Sequence, residues 1–221
     1  MRKTIAKRLQ ASWQNAPHFM LTIDVDMASA MEKRAEINEG LAEAEIDAKI
    51  SVNDLIVKAS ALALEQFPKV NVSFQGDHIE QFDTSNIGVA VAVEDGLVTP
   101  VIRNAQHKTL TQISGETHEL VQKARDKDLM PEDYTGGTFT VSNLGMYGID
   151  HFTAVINPPE SAILACGAVK QVPVVEDGEL TVGTRMKVTL SCDHRAVDGA
   201  TGAEFLQVLV RMLENPLLML V

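Results

Sequence analysis

Apolar and polar positions change period several times along the 221 residues. In "HFMLTIDVDM" they alternate, with Phe19, Leu21, Ile23 and Val25 on one side, which predicts a half-buried strand. The stretch before it, "RKTIAKRLQASW", has helical spacing instead. Ile5, Ala6 and Leu9 can share one face while Arg2, Lys3, Lys7 and Arg8 point elsewhere. A proline at 17 separates this basic segment from the rest, so residues 1–17 read as an arm rather than a core element. Residues 28–45 are charged and helix-prone. "SVND" then has capping-box form, with Asp54 in place of the usual Glu, and opens a helix from Ser51 to about Phe67. That helix is apolar nearly all round, which predicts burial, and Pro68 marks its end.

Strand signals follow. "VNVSF" and "HIEQF" flank a turn at Gln75-Gly76-Asp77, and "NIGVAVAV" and "LVTPVIRNA" read as one hairpin around Glu94-Asp95-Gly96. Residues 110–127 predict a third helix. "GGTFTVSNLGMYGI" is a strand leading into a glycine-punctuated loop, and "SAILACGAV" is a central strand by its apolar continuity. A long hairpin is centred on Asp177-Gly178, and a last helix runs from about Gly199 to Leu213. Hairpin turns outnumber crossovers. The expected fold is therefore one α/β (α+β) domain over 1–221, with a mixed, largely antiparallel sheet and flanking helices. The closing "PLLMLV", residues 216–221, is apolar beyond any need of a soluble monomer; it either folds back on the core or meets a partner.

Charge narrows the partners. Thirty acids against 19 bases give a formal charge of −11, which disfavours nucleic acid and anionic membranes. No apolar run approaches the ~20 residues of a membrane span, and no signal peptide is recognisable, so a soluble, intracellular protein is expected. Cys166 and Cys192 both sit in apolar strand-like runs and read as buried free thiols.

The candidate chemistry gathers in "LSCDHRAVDGATG", residues 190–202. His194 ends a strand, where reactive groups are often presented, and an imidazole can shuttle a proton near neutral pH. A histidine merely satisfied by hydrogen bonds would look the same. Asp198 and Gly199 follow at H-x-x-x-D-G spacing, a modest motif by itself. A metal set of Asp193, His194 and Asp198 lacks a second histidine at ligand spacing. A Cys192–His194 dyad would need side chains that run parallel along a strand to turn toward each other. Ser142, in "FTVSNLGMYG", lacks the G-x-S-x-G elbow of a serine nucleophile, so a turn serine or a supporting hydrogen-bond donor fits better. No phosphate-binding glycine loop is present.

Taken together, "SCDHRAVDGA" resembles the D-H-R-x-x-D-G signature of the dihydrolipoamide acyltransferases, the core enzymes of 2-oxo-acid dehydrogenase complexes, whose fold is that of chloramphenicol acetyltransferase. "RKTIAKRLQAS", "PHFMLTIDVDM", "ISVNDLIVKASALAL", "DGLVTPVIRNA", "GGTFTVSNLGMYGI", "INPPESAILACGA" and "NPLLMLV" resemble that family's catalytic domain in the same order, covering essentially the whole chain. The resemblance implies transfer of an acyl group, with acetyl favoured, between dihydrolipoamide and coenzyme A. Branched-chain or succinyl transfer, another coenzyme A acyltransferase of the wider superfamily, or an inactive core scaffold are the alternatives.

It further implies His194 as general base, Ser142 as oxyanion donor, Asp198 as an orienting group and Arg195 as a brace paired with an acid, with Cys192 a bystander and no metal. It implies a homotrimer in which His194 and Ser142 come from neighbouring chains, the 1–17 arm embraces an adjacent subunit, and the 216–221 tail docks trimers into a 24- or 60-subunit core. Partner enzymes of the complex would be reached through a lipoyl domain, which carries the lipoyl group, and a peripheral-subunit-binding domain. Neither is recognisable here, so the chain reads as an excised or engineered catalytic core. Bacterial cytoplasm or the mitochondrial matrix is the implied location.

Overall fold

The computed structural model describes residues 2–94 and 96–220. Its frame is β11 (Glu179–Asp193), which pairs antiparallel with β1 (His18–Asp26) along one edge, His18 opposite Asp193 and Asp26 opposite Arg185. The other edge of β11 is shared. Its first half holds β10 (Lys170–Glu176) and its second half β9 (Ala162–Cys166). The sheet continues through β8 (Phe139–Asn143) and β4 (Ile87–Val89) to β7 (Val101–Ile102). The β9–β8 and β8–β4 pairs are parallel and the rest antiparallel, the expected mixed sheet. Asp177 (φ 52°) and Gly178 (φ 83°) both take left-handed backbone, which a two-residue hairpin of the favoured twist requires.

The sheet has two chemically different faces. Val25, Leu190, Leu164 and Val141 belong to the apolar core beneath the helices. The alternate positions carry Thr22, Thr189, Thr140 and Ser142, and Thr22 and Thr189 share a hydroxyl–hydroxyl bond of 2.9 Å.

Helices α3 (Val52–Gln66) and α6 (Gly199–Glu214) cover the apolar face. The capping box predicted for α3 is present: Ser51 Oγ accepts from Asp54 N–H and the Asp54 carboxylate accepts from Ser51 N–H. Residues 54–61 of α3 are all buried, Lys58 included, whose ammonium donates to the Gln106 carbonyl at 2.8 Å. In α6 the buried positions Gly202, Phe205, Leu206, Leu209, Met212 and Leu213 recur at helical spacing. Phe205 meets Phe139 of the sheet with ring centroids 5.7 Å apart. Gly202 lets the helix approach closely; a Cβ there would lie 3.0 Å from Leu21 Cδ1. The remaining helices are α1 (Arg2–Asn15), α2 (Ala28–Glu43), α4 (Leu110–Asp126) and α5 (Pro131–Tyr134).

The structure refines the expected strand pattern. The hairpin expected over 87–102 is present in one antiparallel register, Ile87 opposite Ile102 and Val91 opposite Val98, but it is interrupted: β4 and β7 join the main sheet, while β5 (Val91–Val93) and β6 (Gly96–Val98) form a ribbon of their own. Pro100 has no N–H to continue the ladder, and Ala90 N–H is drawn to the Val141 carbonyl, so the pairing breaks between the two pieces. Asp95, at the expected turn, lies outside the described residues. The short α5 was not foreseen. The two strands expected on either side of the Gln75-Gly76-Asp77 turn are present as β2 (Val72–Phe74) and β3 (Ile79–Gln81), and they stand apart from the main sheet. The C-terminal stretch folds back on the core in part. Pro216 and Met219 are buried, while Leu217, Leu218 and Leu220 face outward.

On α1, Ser12 is buried and its hydroxyl donates to the Ile156 carbonyl at 2.7 Å. Arg8 reaches the Pro158 carbonyl at 3.1 Å, and Leu9 and Trp13 remain exposed.

Candidate active site

The strand β11 ends at Asp193, and Asp193 builds the turn that follows. Its carbonyl accepts the N–H groups of Ala196 (3.0 Å) and Val197 (2.9 Å). Its carboxylate accepts the Arg195 backbone N–H at 3.0 Å and the Arg195 guanidinium through Nε (3.0 Å) and Nη2 (2.7 Å). The acid expected to pair with Arg195 is thus Asp193, a forked charge-assisted contact. His194 stands exposed at the crest of this turn. Its N–H donates to the Pro17 carbonyl at 3.0 Å, and its ring lies 4.8 Å from that of Phe19 at 55°.

Asp198 caps α6. Its Oδ1 accepts Thr201 N–H at 2.8 Å, satisfying one of the free donors of the first helical turn. That N–H, then the Thr201 hydroxyl, hold the carboxyl below its ordinary value, with the charge of His194 a smaller cause of the same sign. A single residue therefore ends the histidine turn and starts the helix.

Ser142 sits on β8, half-buried, on the polar face of the sheet. It pairs across to Ala165, and Ala165 to Thr189. Just after it, Asn143 Oδ1 accepts Gly145 N–H at 2.9 Å, and the chain turns outward with Met146 and Tyr147 exposed. Gly167 carries this loop: a Cβ there would overlap the Asp150 carbonyl oxygen. Asp150 in turn receives Lys187 at 2.8 Å and Lys170 at 3.3 Å, and these contacts, with His151, hold its carboxyl well below the usual range.

The structure does not bring Ser142 and His194 together in one chain. From Ser142 to Thr189 is two strand spacings, about 10 Å, and from Thr189 to His194 is five residues of strand, about 17 Å; the pair is roughly 20 Å apart. His194 and Asp198, by contrast, belong to one turn. Cys192 faces the helices, not the histidine. It is fully buried, and burial, then the Asp193 charge, push its thiol up to about 12. The Cys192–His194 dyad is thereby set aside, since a nucleophilic thiol needs a lowered pKa.

Glu160 was not singled out from the sequence. It is 5% exposed, accepts from the Thr140 hydroxyl at 2.6 Å and from the Asn157 amide at 3.2 Å, and burial pushes its carboxyl up to about 8. The only signal was an acid immediately before an apolar central strand, in "PPESAILAC".

A family model, the catalytic domain of the 2-oxoacid dehydrogenase acyltransferases, matches residues 1–221. The chain is 47% identical over 221 residues to the dihydrolipoyllysine-residue acetyltransferase component of the pyruvate dehydrogenase complex of Rickettsia felis, covering 100% of this chain and 53% of that protein. It is 48% identical over 223 residues to a mitochondrial component of the same kind from Arabidopsis thaliana, covering 100% and 41%. The chain thus spans about half the length of the curated relatives it matches.

Among solved structures, Azotobacter vinelandii dihydrolipoamide acetyltransferase superposes with a TM-score of 0.94 at 33% identity, covering 100% of this chain and 90% of that one. That structure comes from an investigation of a serine, a histidine and an asparagine in the catalytic mechanism of that enzyme. The cubic core of the pyruvate dehydrogenase multienzyme complex superposes equally, at 0.94 and 34% identity, covering 100% and 90%. Chloramphenicol acetyltransferase, 13% identical with a TM-score of 0.57 over 95% of this chain and 92% of that one, shares the fold. The sheet, the capped histidine turn and the match along the full 221 residues place this chain in the 2-oxoacid dehydrogenase acyltransferase family, as its catalytic domain.

Proposed function

We propose that the domain transfers an acetyl group between dihydrolipoamide and coenzyme A, and that His194 is its general base. The observation that carries this reading is the presentation of His194: an exposed imidazole on a turn fixed by Asp193 and closed by the Asp198 cap. The Azotobacter enzyme supports it. There the investigated histidine follows the serine by 52 positions and the asparagine follows the histidine by 4, the spacing of Ser142, His194 and Asp198 in this chain.

The chemistry balances without a metal or an acyl-enzyme. A thiol of pKa near 8.5 is mostly protonated at pH 7, so a placed base removes an obstacle. His194 takes the thiol proton of coenzyme A, and the thiolate forms a C–S bond at the acyl-dihydrolipoamide carbonyl. The resulting oxyanion accepts a hydrogen bond from Ser142, a contribution worth about 3 kcal/mol in other oxyanion holes. The C–S bond to dihydrolipoamide then breaks, and the imidazolium returns its proton to the departing sulfur. Asp198, ionised and committed to Thr201, keeps the turn and α6 in register.

The roughly 20 Å between Ser142 and His194 calls for a site shared by neighbouring chains, and we assign it to a homotrimer. The likeness to the cubic core supports further assembly into a 24-subunit particle, through the outward Leu217, Leu218 and Leu220; a 60-subunit particle is the alternative. The exposed Leu9 and Trp13 of α1 are assigned to contact with a neighbouring subunit. Lipoyl-bearing and partner-binding segments would act from outside residues 1–221. The bacterial and mitochondrial relatives support a location in the bacterial cytoplasm or the mitochondrial matrix. No helix among the described residues is long and apolar enough to cross a membrane.

Acetyl-, succinyl- and isobutyryl-coenzyme A, each assayed with dihydrolipoamide on wild type and His194→Ala, test the reading. Acetyl is expected to be the best substrate, with turnover lost in the variant and the assembly unchanged. Near wild-type turnover in His194→Ala would show that the base is misassigned.

A further inference from the structure

We infer that Asp193 is a positioning residue for His194, acting through a clamp in which Asp193 grips Arg195 and Phe74 holds Arg195 from outside. The inference rests on His194 being the base and adds the means by which its ring is aimed.

Among the described residues neither ring nitrogen of His194 has a hydrogen-bond partner. Its orientation therefore depends on the backbone of residues 193–197 and on the Phe19 ring. That backbone is organised by Asp193. Besides accepting Ala196 and Val197 on its carbonyl, Asp193 donates its N–H to the Ser161 carbonyl at 2.9 Å, which ties the turn to the residue before β9. Its carboxylate spans His194 to hold both the N–H and the guanidinium of Arg195. The histidine is thus flanked on both sides by residues locked to each other.

The lock has an outer half. The Arg195 guanidinium carbon lies 4.2 Å from the centroid of the Phe74 ring, a cation–π contact. Phe74 ends β2, and β2 is fastened to the loop before β9 twice: Ser73 Oγ donates to the Pro159 carbonyl at 2.6 Å, and Ser161 N–H donates to the Val72 carbonyl. The β2–β3 ribbon, which belongs to no other sheet, thereby reaches the histidine turn through Arg195.

Packing leaves the pair room to move. A cavity of about 210 Å³ lies against it, lined among others by Phe74, Ile156, Glu160, Ser161, Asp193 and Arg195. Without the carboxylate, Arg195 has space to swing and the His194 backbone loses its counterweight. A shift of about 1 Å at a reacting group can lower a rate about 100-fold.

The test is steady-state kinetics on the assembled protein with acetyl-coenzyme A and dihydrolipoamide, using Asp193→Asn, Arg195→Met, Arg195→Lys, the Asp193→Asn/Arg195→Met pair and His194→Ala. Asp193→Asn is expected to lower kcat about 10- to 100-fold with KM within about twofold, because the aim and not substrate binding is lost. Arg195→Met should match it, Arg195→Lys should recover part of the loss, and the double variant should be no worse than either single one, as partners in one contact behave. Should Asp193→Asn fail to assemble, Arg195→Met decides in its place. Wild-type kcat in Asp193→Asn or Arg195→Met, with His194→Ala inactive, overturns the clamp and leaves the base assignment standing. Activity in His194→Ala overturns the base assignment itself.

Discussion

Ser142 and His194 stand at opposite ends of the same sheet, on strands two apart, with roughly 20 Å between them. A general base and the donor that steadies its oxyanion must both lie within about 3 Å of the reacting atoms. One chain cannot meet that condition with these two groups, so on the roles proposed for them each chain supplies two half-sites. Each half is built differently. The histidine half is a turn knotted by Asp193 and Asp198, and the serine half is a strand end backed by the glycine contact between residues 145–150 and Gly167.

Cys192 should be dispensable. Its thiol is buried against α6 and pushed up to about 12, two positions from the histidine but on the helix side. Cys192→Ala is expected to keep turnover within about twofold of wild type, and the native protein should resist thiol reagents at this position. Rapid labelling of Cys192 with parallel loss of activity would contradict this.

Gly167→Ala should damage the serine half. The added Cβ meets the Asp150 carbonyl, a backbone atom that cannot swing aside, and the loop that must move begins three residues after Ser142. A destabilisation of about 1–3 kcal/mol is expected, as for other overpacked sites. It should be accompanied by a fall in kcat measured on folded, assembled protein. Unchanged denaturation and unchanged kcat would show that the loop gives way freely.

Glu160 predicts a pH dependence of stability. Its carboxyl rises from an ordinary 4.5 to about 8 on folding, so the native protein binds a proton that the unfolded chain releases. The contribution is fully present below about 4.5 and is lost as pH rises through about 8. Unfolding midpoints of wild type should therefore fall from about pH 5 to about pH 9 relative to Glu160→Gln, whose amide mimics the protonated acid. Parallel curves for the two proteins would refute the assignment.

Local patterns carried much of this in the sequence. The alternation of 18–26, the Ser51–Asp54 capping box, and the Asp177-Gly178 turn each express chemistry within a few residues, and each is found where expected. The 87–102 hairpin was legible in the sequence, but its interruption was not, because that depends on Ala90 N–H finding the Val141 carbonyl, some 51 positions away in the chain. Asp193 was weighed only as a metal ligand, since nothing local shows that its carboxylate folds back on Arg195 and that Phe74 covers the pair. Glu160 owes its raised carboxyl to burial, against the opposing Thr140 hydrogen bond, and neither is detected by a spacing rule. The roles proposed for His194, Ser142 and Asp198 come from family resemblance, whereas the separation of Ser142 from His194 is a property of strand register.

Subunit complementation addresses the shared site directly. His194→Ala and Ser142→Ala chains, each inactive alone, are unfolded, mixed in equal amounts and reassembled, and acetyl transfer to dihydrolipoamide is measured per site. A site made by two chains regains activity wherever an intact serine meets an intact histidine, and random mixing predicts recovery to about one quarter of wild type. Reassembled mixtures of confirmed mixed composition that stay as inactive as the separate variants would contradict the two-chain site.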